Sequence, residues 1–452
     1  MWTYAKLARR SNRQLMKLRI KTGGIDVSTV KVVLPDDTSL TAFYRDMNDP
    51  ERRTFWACAT GWALDGMDFM IYPLVIGTII AIWKVESGMA GLAGTATLLA
   101  SAVGGWLAGY LCDRIGRVLT LQITILWFSV FSLVCAFVQD FNQLLIARTL
   151  LGLGFGGEWA VGSVLMGEAI RARFRGKAVG TVQGGWAIGW GITAISYTVL
   201  FSVLPADLAW RAMFWIGILP ALLVFYIRRN VPEPEVFSQT RAREVKLGEG
   251  SHFLEIFSPA LLRTTLLTAL LSVGAQGGYY AITTWLPTFL KTTRGLSVLN
   301  TGGYFILIIA GSFTGYMTSA WMADGLGRKW TLVLFAAFSL LTVADYTHVS
   351  ITNSAMLVLG FPLGFFASGC FSPMGAFFTE LFPSRSRGSG QGFSYNFGRG
   401  IGALFPTLVG YLSARISLGY AISAFASAAY LVMIFAVLLL PETKGKELRV
   451  YE

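Results

Sequence analysis

Residues 113–121 read DRIGRVLTL, and residues 324–332 read DGLGRKWTL. The two stretches share five residue types at one spacing, and we call the D-x-x-G-R part of each a cassette. The shared residues are Asp113, Gly116, Arg117, Thr120 and Leu121 in the first stretch and, 211 positions later, Asp324, Gly327, Arg328, Thr331 and Leu332 in the second. Each cassette is a short polar turn between long apolar runs. The same turn in both halves of the chain indicates a duplicated membrane protein.

The composition predicts that most of the chain lies in lipid. Of its 452 residues, 54% are hydrophobic and only 14% are charged, which is more apolar than a soluble core requires. About twelve runs reach the ~20 residues that a helix needs to cross the hydrocarbon core. We number them spans 1 to 12 and predict them at 54–82, 90–112, 118–138, 142–168, 177–201, 209–229, 263–291, 299–323, 330–350, 354–381, 388–412 and 418–440. The runs lack the alternation of barrel strands, so the predicted fold is all-α, with twelve transmembrane helices in two pseudo-symmetric halves of six.

The net charge of +12 is distributed as in a membrane protein rather than a nucleic-acid-binding protein. If residue 1 is cytoplasmic, most of the 37 Lys and Arg fall in cytoplasmic segments, which satisfies the positive-inside rule and places both termini in the cytoplasm. We therefore expect a plasma membrane protein, in the inner membrane if the source is bacterial, that is monomeric and has no nucleic-acid partner. The four cysteines lie in or at the end of spans and predict packing rather than a metal site.

The repeat also predicts the domain boundaries. Pro232 and Glu233 return after the last span as Pro441 and Glu442. The predicted segments are a basic cytoplasmic segment 1–53, a six-helix bundle 54–229, a cytoplasmic linker 230–262, a second six-helix bundle 263–440 and a cytoplasmic tail 441–452. Residues 1–46 have no counterpart in the repeat and no signal-peptide pattern, which leads to the hypothesis that translation begins at Met47.

A third pair of matching segments, which we call the third echo, is further evidence that the chain is duplicated. It matches Glu168, Arg175, Gly176 and Gly180 with Glu380, Arg387, Gly388 and Gly392. Parallel six-helix halves related by an axis along the membrane normal are a known transporter plan, in which the substrate site lies between the halves near the midplane.

Four segments resemble signatures of the major facilitator superfamily. They are GYLCDRIGR at 109–117, RTLLGLGFGGEW at 148–159, SAWMADGLGRK at 319–329 and PETKG at 441–445. The resemblance, which covers residues 54–448, implies that the cassettes lie in the loops between spans 2 and 3 and spans 8 and 9 and lock the halves together on the cytoplasmic side. The expected gate comprises Asp113, Arg117, Glu168, Arg175, Asp324, Arg328, Glu380 and Arg387. Asp113 would face a helix N-terminus or Arg175, and Asp324 would pair in the same way with Arg387; the alternative is a solvated loop charge for each.

Four further segments are similar to proton symporters for organic acids, in particular the sialate and monocarboxylate branch of the metabolite:proton symporters. They are DGMDF at 65–69, GGEW at 156–159, YYAITTWLPTFL at 279–290 and NFGRGIGALFP at 396–406. The chain departs from the family pattern at Val118, where many members have Arg, and at Gly325, which stands where the first cassette has Arg114. These departures put the strength of the gate in doubt rather than the fold.

Scaffold residues should repeat between the halves, whereas a site for an asymmetric ligand should not. Asp65 and Asp68 correspond to Gln276 and Tyr279 in the repeat. The other charges deep in a span are likewise unmatched: Arg148, Glu158 and Arg399 correspond to Gly360, Cys370 and Ala187. A charged side chain inside a span costs about 2.5–3.5 kcal/mol on insertion scales, so each of these is expected to have a task.

The acids are candidates for proton coupling. Asp65 and Asp68 lie three residues apart on one helix face, and two like charges in a low dielectric do not both ionise cheaply. The alternatives for this pair are a structural hydrogen bond or a substrate contact. Glu158 is the competing proton site. Arg148, ten residues and ~15 Å from Glu158 along the helix, needs a partner on another helix and would support coupling or simply join helices.

Arg399 is the candidate for substrate binding, because a guanidinium recognises a carboxylate by two parallel hydrogen bonds. The alternative is a salt bridge to Asp65, Asp68 or Glu158. Six further residues are predicted to line the cavity, with helix packing as the alternative for each: Asn396, Gln276, Tyr279, Tyr280, Gln183 and Trp186.

The resulting hypothesis is a proton-coupled importer of a small organic anion, such as a monocarboxylate or sialic acid, that works by alternating access. The proton is the coupling ion, and we expect no cofactor and no metal. The alternatives are an aromatic-acid:proton symporter, an efflux antiporter and a transporter-like sensor. An enzyme is not expected, because the sequence contains no nucleophile elbow, Walker loop or metal cluster.

Overall fold

The structure, a computed structural model, describes residues 42–85, 87–247, 253–293, 295, 298–348 and 352–448. Throughout these residues the chain is helical and contains no strand, which confirms the predicted fold class. The chain divides into two units, residues 1–48 and 49–452. Of the first unit the structure describes only the helix Ala42–Asp46 and the residues directly after it. The start-site hypothesis at Met47 concerns residues 1–46, of which 1–41 lie outside the described residues.

The second unit contains the twelve predicted spans. Spans 1 to 6 are Asp49–Trp83, Ser87–Ile115, Arg117–Cys135, Phe141–Ala169, Arg175–Val203 and the broken pair Ala206–Ile216 and Leu219–Asn230. Spans 7 to 12 are Leu262–Thr292, Val298–Gly325, Arg328–His348, the pair Asn353–Gly369 and Ser372–Leu381, the pair Arg387–Gly402 and Phe405–Ser413, and Leu418–Leu439. Ten of these spans are long and apolar enough to cross a membrane by composition alone, and the exceptions among the described residues are spans 7 and 11. Span 1 begins five residues earlier than predicted, and the linker contains two helices of its own, Glu235–Leu247 and Phe253–Phe257.

Three spans that the hydropathy pattern predicts as single helices are broken. Each second segment begins with a proline in its first turn: Pro220 in span 6, Pro373 in span 10 and Pro406 in span 11. Proline lacks the N–H that would continue the preceding helix but is favourable at the first helical positions. The repeat counterparts of these spans, which are spans 12, 4 and 5, are continuous, so each break belongs to only one copy.

The halves pack closely at the end of the bundle that carries the cassettes, which we call the cassette end. Spans 2 and 11 cross there so tightly that a Cβ on Gly388 would lie 2.6 Å from the carbonyl oxygen of Gly109. Span 5 meets spans 8 and 10 in the same way, because a Cβ on Gly180 would lie 2.6 Å from the Ala320 Cβ and 2.5 Å from the Ser372 Oγ. Small residues at such crossings let backbones approach.

The cassette glycines have a conformational reason of their own. Gly116 has φ 105° and Gly327 has φ 109°, a region that residues with a Cβ rarely adopt. A Cβ at either position would also meet a carboxylate, that of Glu233 or that of Glu442. The spacing shared by the two cassettes therefore places a glycine at a turn position that only glycine fits.

Candidate functional site

Each cassette aspartate caps a helix of the opposite half. Asp113 accepts hydrogen bonds from the backbone N–H groups of Gly388 and Ser389, at 2.9 and 2.7 Å, at the start of span 11. Asp324 accepts from Gly176 and Lys177, both at 2.8 Å, at the start of span 5. A carboxylate at a helix N-terminus satisfies unpaired N–H groups and complements the helix dipole. Both contacts join one half of the protein to the other.

The expected contact of a cassette aspartate with a helix N-terminus is confirmed, whereas the expected arginine partners, Arg175 for Asp113 and Arg387 for Asp324, were wrong. The sequence paired Asp113 with Arg175 and Asp324 with Arg387, but the structure places Asp113 at the helix that begins at Arg387 and Asp324 at the helix that begins at Arg175. The reason is geometric: the aspartate of each cassette faces the helix that begins in the third echo of the other half, across the interface.

Four arginines and two glutamates complete the contact at the cassette end. Arg117 binds Glu168 through two hydrogen bonds of 2.9 and 3.0 Å, and Arg387 of the other half binds the same glutamate. In the second copy, Arg328 binds Glu380 at 3.0 and 2.9 Å, and Arg175 binds it at 3.0 Å. Each glutamate thus joins the cassette arginine of its own half to an arginine of the other. The eight residues of the expected gate therefore form two networks of four, one around Glu168 and one around Glu380, and all of them except Asp324 are buried.

Two glutamates that the repeat matches, one after span 6 and one after span 12, accept hydrogen bonds from the backbone of the cassettes. Glu233 accepts from the N–H groups of Arg117 and Val118, and Glu442 accepts from those of Arg328 and Lys329. Burial raises the pKa of Glu233, although these two N–H groups act in the opposite direction. The sequence indicated these residues only as an echo and gave them no role.

The tail that follows Glu442 reaches across the network around Glu380. The Thr443 hydroxyl donates to Glu380 at 2.6 Å, and the carbonyl oxygen of Lys446 accepts from Arg175 at 2.7 Å. Sequence reasoning missed both residues.

Near the middle of the bundle, Arg399 lies beside two acids. Its guanidinium is stacked over the rings of Phe155 and Tyr395, at 4.7 and 5.0 Å from the ring centroids. Asp65 of span 1 and Glu158 of span 4 are both within electrostatic range of it. The side chain is buried, and its Nε and Nη1 atoms have no hydrogen-bond partner in the part of the chain that the structure describes. The arginine is thus charged, enclosed and incompletely bonded.

The two acids are enclosed as well. Asp65 is fully buried, and neither of its carboxylate oxygens has a hydrogen-bond partner within the described ranges. The Glu158 carboxylate lies against Gly61, where a Cβ would be 2.6 Å from Oε1. The absence of a side chain at Gly61 makes room for this carboxylate between spans 1 and 4. We call Asp65, Glu158 and Arg399 the central cluster.

Asp68 belongs to a different cluster, although it lies one helical turn from Asp65. Its Oδ1 accepts a hydrogen bond from the Ser132 hydroxyl of span 3, and it is within electrostatic range of Arg148. The Arg148 guanidinium in turn stacks over Tyr72 at 4.6 Å. The partners that Arg148 needed are therefore on span 1, and this second cluster lies wholly within the first half.

Aromatic rings from three spans form a wall beside Arg399. The ring centroids of Trp62 and Trp186 are 5.0 Å apart, those of Phe69 and Phe155 are 5.3 Å apart and stacked, and Phe69 lies 5.4 Å from Trp186. We call these four residues the aromatic wall. The sequence predicted Trp186 as a lining residue but missed Phe69 and Phe155, although both lie inside the quoted segments DGMDF and RTLLGLGFGGEW.

Comparison with known proteins now identifies the family. The family model described as the Major Facilitator Superfamily matches residues 58–356 and 311–451. The chain belongs to the major facilitator superfamily. The expected family is therefore confirmed, and the protein is a membrane transporter rather than an enzyme.

Individual relatives agree with this assignment. The chain is 41% identical over 404 residues to a probable 4-methylmuconolactone transporter of Cupriavidus pinatubonensis, covering 89% of this chain and 94% of that protein. It is 28% identical over 380 residues to a sialic acid transporter of Escherichia coli, covering 84% and 91% respectively. A solved proton:xylose symporter superimposes with a TM-score of 0.75 at 18% identity, over 88% of this chain and 98% of that one, which is a likeness of fold.

In this major facilitator protein, four of the five remaining predicted lining residues divide into two groups, and the fifth, Tyr279, packs edge-on against Phe371. Gln276 and Tyr280 lie at the central cluster: the Gln276 amide donates to the Tyr395 carbonyl at 2.7 Å and accepts from the Tyr280 hydroxyl at 3.3 Å. Asn396 and Gln183 use their amides to join the halves. Asn396 donates to the carbonyl of Gly156 at 3.2 Å, and Gln183 donates to that of Phe371 at 3.5 Å. The contacts of Asn396 and Gln183 are therefore those of the alternative reading, in which these residues pack helices together.

Away from the cassette end, the halves of the transporter separate. A cavity of about 640 Å³ lies between spans 5 and 8, on their portions far from the cassettes. Its walls are Ala187, Ile188, Gly191, Ala194, Ile195, Thr198 and Val199 from one half and Ile306, Ile309, Ala310 and Phe313 from the other. The structure is therefore closed at the cassette end, and spans 5 and 8 leave a cavity between them toward the opposite end.

Proposed function

We propose that this transporter imports a small organic anion, a carboxylate, together with a proton. The observation that carries the proposal is the central cluster: a buried arginine with unbonded N–H groups beside two buried carboxyl groups. A guanidinium with two unbonded nitrogens in a water-poor site favours an anion with matching oxygens, and a carboxylate offers two.

The charge balance of the cluster supports proton coupling. One arginine neutralises one carboxylate, and a second buried carboxylate is costly unless it takes up a proton. In the proposed cycle, protonation of Asp65 or Glu158 releases Arg399, and the substrate carboxylate takes the place of the neutralised acid. Because a proton and an anion enter together, the loaded cluster carries no additional buried charge when the protein changes state.

We assign the cassette end to the cytoplasm, following the distribution of Lys and Arg. The structure would then correspond to an outward-facing state, in which the ion-paired networks of the cassettes are the closed cytoplasmic gate. Opening inward requires that the contacts between the halves break, including both helix caps and the bonds of Arg175 and Arg387 to the opposite glutamates.

The aromatic wall favours planar, unsaturated acids among the possible carboxylates, because flat π systems stack on Trp and Phe rings. The relative described as a 4-methylmuconolactone transporter supports this class. Sialic acid is the second candidate, supported by the relative from Escherichia coli. Efflux antiport would require substrate to leave against the same proton gradient, and a sensor would bind without net flux.

Uptake by purified protein in proteoliposomes tests the proposal. An inward proton gradient should accelerate uptake of a carboxylate substrate, and Arg399→Ala should abolish it, whereas Arg415→Ala, an exposed arginine in a loop, should behave as wild type. Asp65→Asn and Glu158→Gln separate the roles of the acids: at least one should lose gradient-driven uptake while still exchanging labelled for unlabelled substrate. Gradient-driven uptake that survives Arg399→Ala, or that survives both acid substitutions, would contradict the proposal.

A further inference from the structure

Opposite Arg399, the aromatic wall ends at a group of hydroxyls that none of the transport chemistry above uses. Tyr279 of span 7 lies with its hydroxyl beside the Trp186 indole and the Ser368 hydroxyl. Ser368 of span 10 donates to Ser312 of span 8 at 2.8 Å, and Tyr316 of span 8 also interacts with Ser368. We call Tyr279, Ser312, Tyr316 and Ser368 the hydroxyl cluster. It is built from three spans of the second half.

We propose that the hydroxyl cluster, through Tyr279, is a second recognition site that binds an oxygen substituent of the substrate at the end away from its carboxylate. The preferred substrates are then planar monocarboxylates that also carry a hydroxyl or carbonyl group, and acids without one are transported less well. This inference rests on the proposed function, because it assumes that Arg399 holds the carboxylate.

A chain of side-chain contacts connects Arg399 with Tyr279. The Arg399 guanidinium lies over Phe155, the Phe155 ring centroid is 6.3 Å from that of Trp186, and Trp186 reaches the Tyr279 hydroxyl. A flat acid that stacks on these rings with its carboxylate at Arg399 therefore points its other end toward Tyr279. The Tyr279 side chain is only half-buried, and Phe371 holds its ring edge-on at 5.4 Å.

The repeat distinguishes this cluster from scaffold. In the first half, the positions that correspond to Tyr279, Tyr316 and Ser368 are Asp68, Gly105 and Gly156. Only Ser312 has an equivalent hydroxyl, at Ser101. Hydroxyl groups that existed merely to pack helices would be expected in both copies, as the cassettes are. A cluster present in one copy matches a ligand whose two ends differ.

The physical effect is one of discrimination. A site that hydrogen-bonds a polar substituent prefers the substrate that carries it, because an analogue that lacks the substituent forfeits that hydrogen bond. One neutral hydrogen bond corresponds to about a tenfold preference. Tyr279→Phe removes the hydroxyl and keeps the ring, so it should remove the preference without removing the stacking surface.

Matched pairs of acids test the inference on the full-length protein in proteoliposomes. The pairs are benzoate with 4-hydroxybenzoate and crotonate with 4-hydroxycrotonate, each used as a competitor and as a labelled substrate. Wild type should prefer the oxygenated member of a pair by about tenfold in KM. Tyr279→Phe should bring the ratio close to one by weakening only the oxygenated member, and Ser368→Ala should reduce the ratio in the same direction. Tyr226→Phe, on the exposed face of span 6, is the control and should keep the wild-type ratio.

The outcomes separate this inference from the proposed function. Equal KM values within each pair in wild type, or an unchanged ratio in both Tyr279→Phe and Ser368→Ala, overturn the inference and leave carboxylate transport intact. If none of the acids competes or is transported, and Arg399→Ala equals wild type, the proposed function itself fails and the inference fails with it.

Discussion

Single residues of span 1 show how one helical turn separates two kinds of chemistry. Asp65 faces Arg399 and Glu158 at the interface between the halves, whereas Asp68 bonds Ser132 and faces Arg148 inside the first half. The sequence predicted both acids as important by repeat subtraction, and it placed them on one helix face. It did not predict their division, because the neighbours come from spans 3, 4 and 11, whose packing no local pattern encodes.

The second cluster yields a prediction at this scale. Asp68→Asn keeps an oxygen for the Ser132 hydroxyl but leaves the buried Arg148 without its counter-charge. Leaving one of two interacting buried charges without the other costs up to about 3–5 kcal/mol, so the melting temperature in detergent should fall by several degrees. The double variant Asp68→Asn with Arg148→Met, which removes both charges, should recover most of this loss. Thermal unfolding followed by intrinsic fluorescence measures both effects. A double variant that is less stable than Asp68→Asn would show that the two side chains are not coupled.

Aromatic residues mark the limit of sequence reasoning at the same scale. A phenylalanine in an apolar span has no feature that separates a site residue from a packing residue, and so Phe69 and Phe155 were missed. Their role becomes visible only through the 4.7 Å contact between Phe155 and Arg399 and the stacking of the two rings.

At the scale of elements, the cassette turns are the part that the sequence predicted best. A repeated polar motif between apolar runs requires a turn, and the glycine at a fixed place in it requires an unusual backbone angle. The helix breaks in spans 6, 10 and 11 were not predicted, because an apolar run with a single proline has the same hydropathy as an unbroken helix. The arginine partners of the cassette aspartates were predicted wrongly, since one half's sequence contains no information on which face the other half presents.

The two cassettes are not equivalent elements, and Val118 accounts for part of the difference. Its repeat counterpart, Lys329, donates to the carbonyl groups of Leu438 and Leu440 at the end of span 12, at 2.7 and 3.0 Å. Val118 can offer no such bond to span 6. The departure from the family pattern at Val118 thus removes one tie between the first cassette and its own half.

The cassette glycines provide the prediction for this scale. Gly116→Ala forces a Cβ into φ 105° and to 2.9 Å from a Glu233 carboxylate oxygen, which should cost roughly 1–3 kcal/mol of gate stability. The matched control is Gly325→Ala in the second cassette, where a Cβ would meet no atom within 4 Å. Labelling of a cysteine placed at the cassette end should accelerate in Gly116→Ala and remain at the wild-type rate in Gly325→Ala. Equal labelling rates in the two variants would mean that this turn does not set the strength of the gate.

At the scale of the whole molecule, the duplication and the asymmetry have separate functions. The repeated residues hold the halves together at the cassette end, and the unrepeated charges of the central cluster lie between the halves, deeper in the bundle. This division explains why subtracting the repeat from the sequence found the central cluster without an alignment. It also explains why the substrate stayed undetermined: the shape of the site follows from how spans 1, 4, 5, 7 and 11 pack around it.

If the cassette contacts keep the cytoplasmic side closed, weakening them should change the distance between the two halves at the opposite end of the bundle. Asp113→Asn combined with Asp324→Asn removes the charge from both helix caps, each of which is worth about 1 kcal/mol or more between the halves. We expect the population to shift toward an inward-open state, in which the cavity between spans 5 and 8 closes. Spin labels at Ile195 and Ile306, on opposite walls of that cavity, should then approach each other, which double electron–electron resonance measures directly.

Asp345→Asn, an exposed aspartate of span 9, is the control and should leave the distance distribution unchanged. A label pair placed within one half should not change in either variant, since each half moves as a body. An unaltered distance between Ile195 and Ile306 in the double variant would mean that the caps stabilise the helices they contact but do not hold the two halves in one state.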